Sequence, residues 1–296
     1  MNRGGTDPSG VVPPLVARPP EGARFLRGAR TLFNRPASAV GTGIFLLVVI
    51  FGLLGNLIAP YGLNEQIVAD ARQAPSAAHW FGTDHLGRDV FSRVVLGAGE
   101  ILRLAGLGTL LSVITGTSLG LLGGYIGGWV DEVLMRLFDA LLAMPALLLA
   151  LLLLGTLGPS ENSILVVIVI VYTPIVARVV RSVVLPVKTR GYVDAARVQG
   201  ESLVRILFRE ILPAALPALA VEAALRFSYA IFLVASLGFL GIGVQPPSPN
   251  WGLMVSEARE RVTQIPWALY YPAGAISLLV IGVNLMADGL KRVLRP

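Results

Sequence analysis

Six apolar runs separated by charged connections leave this chain few ways to fold. They fall at roughly 39–58, 105–126, 137–157, 164–180, 214–240 and 269–285. A helix needs about 20 mostly apolar residues to cross the hydrocarbon layer of a bilayer. Runs this long and this numerous exceed what a soluble core holds. They predict an all-α, polytopic membrane protein with six transmembrane helices. Only 14% of residues are charged, against about 25% in soluble domains. The mean hydropathy of +0.72 agrees.

The charges sort by side. The tail before residue 39 carries six Arg, and the connection between the fourth and fifth runs carries seven basic residues: Arg178, Arg181, Lys188, Arg190, Arg197, Arg205 and Arg209. Lys291, Arg292 and Arg295 close the chain, whereas the 61–100 segment has three Arg against five acids. Basic residues stay on the cytoplasmic side of spanning helices. This asymmetry places both termini in the cytoplasm and requires an even number of crossings. The net charge of +6 therefore reads as topology. It is not a nucleic-acid footprint, because the basic stretches lack interleaved aromatics.

The expected organisation is a cytoplasmic tail at 1–38 and a membrane domain at 39–296, with an outer loop at 61–100 and a cytoplasmic loop at 181–213. Within the tail, residues 23–34 alternate Arg with Phe and Leu and suit an amphipathic helix on the membrane surface; a solvated linker is the other reading. The first apolar run starts too deep for a usual signal peptide and no A-x-A site follows it, so it is expected to be an uncleaved span.

Small features refine the spans. Gly116, Gly120, Gly124 and Gly128 recur every four residues, with Gly123 and Gly127 beside them; such spacing favours close helix packing in lipid over a pathway-lining face. Thr173-Pro174 predicts a kink in the fourth span. Glu222 and Arg226 sit one helical turn apart and are able to pair. Pro213 and Pro217 suggest that this pair lies near the cytoplasmic interface.

There is no cysteine, which excludes disulfides and thiolate sites. His79 and His85 are the only histidines; a metal site would need further ligands. The two lysines, Lys188 and Lys291, follow Val187 and Leu290. No G-K-[ST] phosphate loop exists, so ATP-driven work would need a separate polypeptide.

Two stretches carry the functional signal. Asp194-Ala195-Ala196 and Gly200 read as a short helix ended by a glycine, with alanines small enough for close contact with a partner. A second helix follows from Glu201 to Ile211, carrying Arg205 and Arg209. At the other end, Gly82 and Gly87 bracket a turn whose Asp84, Arg88, Asp89 and Arg93 are able to pair with one another.

The first stretch resembles the EAA motif of permease subunits in binding-protein-dependent ABC importers: E-A-A-x-x-x-G, then I-x-L-P after nine intervening residues. Asp194 replaces the Glu, and Glu210 stands where the pattern puts Ile. The stretch Gly82-Thr83-Asp84-His85-Leu86-Gly87-Arg88-Asp89-Val90-Phe91-Ser92-Arg93 resembles the G-T-D-x-L-G-R-D-x-x-S-R signature of C-type permeases in dipeptide, oligopeptide and nickel importers. Gly123 to Asp131, Ser236 to Pro247 with Trp251-Gly252, and Ala287 to Leu290 resemble further segments of that family. Val234 and Glu100-Ile101-Leu102-Arg103 depart from it at the outer end.

The resemblance implies a type I ABC importer permease fold in a prokaryotic inner membrane. It implies coupling through Asp194, Ala195, Ala196, Gly200, Arg205 and Arg209, and half of a pathway for di- or oligopeptides. The expected partners are a B-type permease, two cytosolic ATPase subunits holding ATP and Mg, an extracytoplasmic substrate-binding protein and the bilayer. The chain itself is expected to bind no cofactor and to have no catalytic residue. ATP-driven closure of the partners would move the 194–213 loop as a rigid body. The alternatives are an ion-gradient-driven transporter or channel, which would place acids in mid-membrane, and a membrane enzyme, which would need clustered His, Asp or Ser.

Overall fold

The computed structural model describes residues 35–293; the amphipathic stretch expected at 23–34 lies outside them. Nine α-helices appear among these residues, besides a short 3-10 helix at Val68–Asp70: α1 (Pro36–Ile58), α2 (Val90–Ile126), α3 (Gly128–Leu142), α4 (Ala146–Leu157), α5 (Glu161–Val187), α6 (Gly191–Val198), α7 (Leu203–Phe239), α8 (Trp251–Arg259) and α9 (Pro266–Val293). The described residues form no strand beyond one isolated bridge, Thr83 with Asp89. Helices α1, α2, α5, α7 and α9 are each long and apolar enough to cross a bilayer. The sixth expected span is a bent pair: α3 and α4 meet at 92°.

That bend corrects the expectation of one continuous helix over 137–157. Pro145 takes φ −53° and ψ 132° and caps α4. It cannot donate a backbone bond and forces the preceding residue out of helical geometry. The apolar run reads straight across the break because Leu, Ala and Met flank it. Conversely, Thr173-Pro174 produces no break, and α5 runs through both Pro174 and Pro186. The Thr173 hydroxyl pairs with that of Thr115 on α2 at 2.7 Å, which supports the helix there.

The second span begins fifteen residues earlier than expected, at Val90 rather than 105. The outer loop therefore ends at Asp89, and the 61–100 boundary is corrected to 59–89. Asp89 starts the helix by accepting the Ser92 N–H at 2.8 Å, an N-cap. The expected helix from Glu201 to Ile211 is no separate element either. It starts at Leu203, passes through a π-helical turn at Ile206–Ile211 and continues unbroken into the fifth span.

Helices α2 and α5 form the centre. In lipid, apolar surface gives helices little reason to associate, so close backbone approach must supply the packing. Gly116, Gly120 and Gly124 provide it. A methyl group at Gly120 would lie 2.5 Å from the Ala177 carbonyl oxygen, and one at Gly116 2.7 Å from Val176 Cβ. Gly123 instead faces Leu134 of α3, and Gly127 and Gly128 adopt φ of +70° and +56° in the turn between α2 and α3. The four-residue repeat is thus a packing face as far as Gly124 and a turn beyond it.

Chain direction gives the bundle two ends. The α1–α2 loop, the start of α5 and the α7–α9 connection share one end, called here the loop end. Helix α6, the α2–α3 turn and the last turn of α9 share the other. Helix α1 begins at that second end and packs there on α9, where a methyl at Gly41 would lie 2.5 Å from Leu285 Cβ.

Candidate functional site

At the second end, α6 caps the bundle. Val193 and Ala196 face inward onto Val184, Val187, Ile206, Leu207 and Ile211, a cluster distinct from the main core. Asp194, Ala195, Arg197 and Val198 face out. Both alanines were expected at a partner surface; only Ala195 is exposed, because the helical turn points Ala196 into this cluster. Gly200 adopts φ +75°. The Glu201 N–H reaches the Ala196 carbonyl at 3.1 Å and the Gly200 N–H the Arg197 carbonyl at 3.0 Å, the paired bonds of a Schellman stop. Ser202 then accepts the Arg205 N–H and opens α7.

The turn is fixed to the bundle by side chains that the motif does not include. Arg197 Nε donates to the Tyr125 hydroxyl at 2.9 Å, and its guanidinium lies 4.9 Å from the Tyr125 ring centre. Arg197 also bonds Asp194 at 3.1 Å. Lys188 Nζ donates to the Gly124 carbonyl at 2.7 Å. Arg181 holds Asp131 through two bonds of 2.5 Å. Arg205 pairs with Glu201 at 3.0 Å, and Arg209 is exposed. Beside them Val198 is 88% exposed, Val204 65% and Phe208 52%. The outer face of α6 and the first turns of α7 thus combine cations with uncovered apolar side chains, on a segment that has little freedom to move independently.

At the loop end, the signature residues form a clamp. Asp84 accepts the Leu86 and Arg88 backbone N–H groups at 2.8 and 3.0 Å and the Arg88 side chain at 2.5 Å. Arg88 reaches across to Glu257 on α8, also at 2.5 Å. Asp89 holds His79 Nδ1 at 2.9 Å besides capping α2. Thr83 bonds Gln73 and Asp70, and its carbonyl takes the Trp267 indole N–H at 2.9 Å. Gly82 and Gly87 take φ of +70° and +76°, and a methyl at Gly87 would lie 2.2 Å from the Ile67 carbonyl oxygen. Only glycine fits a left-handed position so tightly closed.

Arg93 was expected to pair among the signature residues. It lies 1% exposed, and its Nη2 donates to the Ser248 carbonyl at 3.2 Å. Burial is the largest influence on His85 and lowers its pKa below 6.5, with the Asp84 carboxylate opposing. His79, by contrast, is stacked 4.8 Å from the Tyr61 ring and held by Asp89, which makes it a brace of the loop. Sequence reasoning missed Glu257, Ser248, Trp251 and Trp267 as members of this clamp. The Pro-Pro and Trp-Gly segment near 246–252 was visible, and its indole is what fastens it: Trp251 Nε1 donates to the Val94 carbonyl at 2.9 Å.

With both ends described, comparison with known proteins is decisive. Residues 116–296 match the binding-protein-dependent transport system inner membrane component. The chain belongs to that family. Residues 25–75 match the N-terminal TM domain of oligopeptide transport permease C, which places it with the C-type permeases. It is 40% identical to the dipeptide transport system permease protein DppC of Alkalihalophilus pseudofirmus, over 90% of this chain and 88% of that one. It is 38% identical to the glutathione transport system permease protein GsiD of Pectobacterium atrosepticum, over 89% and 88%. It is also 38% identical to the di/tripeptide transport system permease protein DppC of Pseudomonas aeruginosa, over 89% of each chain. The family makes this a multi-pass transport subunit.

Proposed function

We propose that this chain forms one half of the translocation pathway of an ATP-driven importer for short peptides, in the inner membrane with both termini cytoplasmic. The α6 turn seats in separate ATPase subunits that hold ATP and Mg, a related B-type permease supplies the other half, and a binding protein delivers cargo to the loop end. The observation that carries this reading is the α6 turn: its cations and exposed Val198 and Phe208 stand outward while Val193, Ala196 and the Arg197–Tyr125 bond fix it to α2, α5 and α7. A turn so attached transmits displacement into the bundle instead of absorbing it. Relatives named for dipeptide, di/tripeptide and glutathione transport support peptides as cargo.

The test is reconstitution of the chain in proteoliposomes with the permease, ATPases and binding protein encoded beside it. ATP-dependent uptake of labelled dipeptide is the expected outcome, abolished by omitting the ATPases. Uptake driven by an ion gradient without them would overturn the reading.

A further inference from the structure

The sequence placed Glu222 and Arg226 near an interface, but α7 puts them elsewhere. Arg226 stands fourteen residues after Leu212 and thirteen before Phe239, the ends of the 28-residue α-helical part of α7. At about 1.5 Å per residue it is about 20 Å from either end. A charge at that depth is costly, and such residues face protein interiors or water-filled cavities.

Arg226 does face a cavity. A hollow of about 480 Å³ opens beneath the α3–α4 bend, walled by Met144, Pro145, Tyr172, Tyr229, Phe232 and Ser236 among others, with Arg226 as its single charged lining residue among the described residues. Its size falls within the roughly 300–1,000 Å³ of small-molecule sites. The guanidinium lies 4.7 Å from the Tyr229 ring centre and 5.6 Å from that of Tyr172. Glu222 Oε1 is 2.7 Å from Arg226 Nε. The N–H is not aligned with it, and neither atom has a hydrogen-bond partner among the described residues. The pair is therefore neutral overall yet leaves hydrogen-bonding capacity unused. A guanidinium offers a planar fork of donors that matches a carboxylate with two bonds.

We propose that Arg226 receives the C-terminal carboxylate of the cargo in mid-passage. The aromatic and aliphatic walls take the cargo's side chains, and Glu222 stays beside the guanidinium outside the cavity lining. This rests on the peptide-import reading and assigns a passage site within it. The cavity's place at the 92° bend of α3 and α4 puts the site where relative movement of those limbs against α5 and α7 opens or closes it.

The experiment uses the whole importer in proteoliposomes, with the binding protein saturated by a peptide in its free-acid or C-terminally amidated form. Wild type is expected to import the free acid about tenfold faster, the ratio that about 1.4 kcal/mol of differential interaction gives. The double variant Glu222→Gln with Arg226→Gln removes the carboxylate receptor without stranding a charge. It should bring the ratio to about one, and Arg226→Lys should restore part of it. An importing double variant that keeps the wild-type ratio overturns the inference alone. A wild type that imports neither form overturns the peptide reading and this inference with it.

A second measurement covers a variant that fails to assemble. The chain has no cysteine, so Ser236→Cys gives the cavity one thiol. Labelling by a membrane-impermeant thiol reagent, blocked by free-acid peptide and not by amide, is expected. No labelling in any nucleotide state, as when a partner helix fills the cavity, overturns the proposal.

Discussion

Arg197 of α6 donates to the hydroxyl of Tyr125, the penultimate residue of α2, across 72 positions of sequence and a distance of 2.9 Å. This bond ties the exposed turn to the helix at the centre of the bundle. Arg197 is 42% exposed at its side chain, so the bond contributes little to stability, about 0.5–1 kcal/mol. Under the proposed coupling role, its effect falls on transmission. Tyr125→Phe should leave the thermal unfolding of the purified complex within a degree or two and lower the peptide imported per ATP several-fold. Import per ATP equal to wild type would show that the bond is not part of the coupling route.

Gly200 makes a sharper test because its effect has one cause. A methyl added there meets nothing within 4 Å. Any cost of Gly200→Ala comes from the φ of +75° alone, about 1–2 kcal/mol for a residue with a Cβ. Gly200→Asn should cost less, because asparagine tolerates this conformation. ATPase retained on affinity-purified permease complex should fall in the order wild type, Asn, Ala. Equal retention would mean that the Schellman stop does not set the position of α6.

How much of this was legible in the sequence depends on where each residue finds its partner. The glycine stop at Gly200 and the short helix before it were readable because their bonds are local. The start of α2 at Val90 was not. Arg93, Glu100 and Arg103 look like loop residues, yet their side chains find partners in Ser248, in Ser248 and Asn250, and in Glu161. Those partners lie 58 to 155 positions away, beyond any periodicity argument. Hydropathy likewise ran across Pro145 and hid the bend that shapes the cavity. The Glu222–Arg226 spacing showed that the two pair, and only the helix length showed how deep they sit.

The α2–α5 contact predicts an asymmetry between glycines. Gly120→Ala places a methyl 2.5 Å from the Ala177 carbonyl oxygen and should destabilise the subunit by about 1–3 kcal/mol through overpacking. Gly155→Ala on α4 meets nothing within 4 Å and should be neutral or slightly stabilising. Thermal unfolding of the two variants in detergent compares them directly. Equal midpoints would contradict the close approach of α2 to α5.

The loop-end clamp should break asymmetrically as well. Arg88→Met leaves Asp84 and Glu257 facing each other without their shared cation, where Arg88 is 4% and Asp84 7% exposed. Removing one partner of a buried pair costs about 3–5 kcal/mol. Arg88→Met combined with Asp84→Asn and Glu257→Gln should recover much of that loss, because no buried charge is then unmatched. Limited proteolysis of the 59–89 loop is the measurement. A triple variant cleaved as fast as the single one would show that the clamp is held by shape and not by charge.

Beside this clamp, His85 makes the loop end sensitive to acid. Burial is the larger influence and holds its pKa below the usual 6.5, with Arg261 and Arg88 adding to the effect and Asp84 and Glu257 opposing it. The folded protein thus binds this proton more weakly than the unfolded chain does. The stability linked to the neutral ring is complete above about pH 6.5 and is lost as pH falls through that value towards the lower folded pKa. Wild type should therefore lose more thermal stability than His85→Gln between about pH 7.5 and pH 5. The two profiles should converge at the alkaline end, because the imidazole is neutral there in both states. Parallel profiles over the whole range would mean that His85 titrates alike in the folded and unfolded chain.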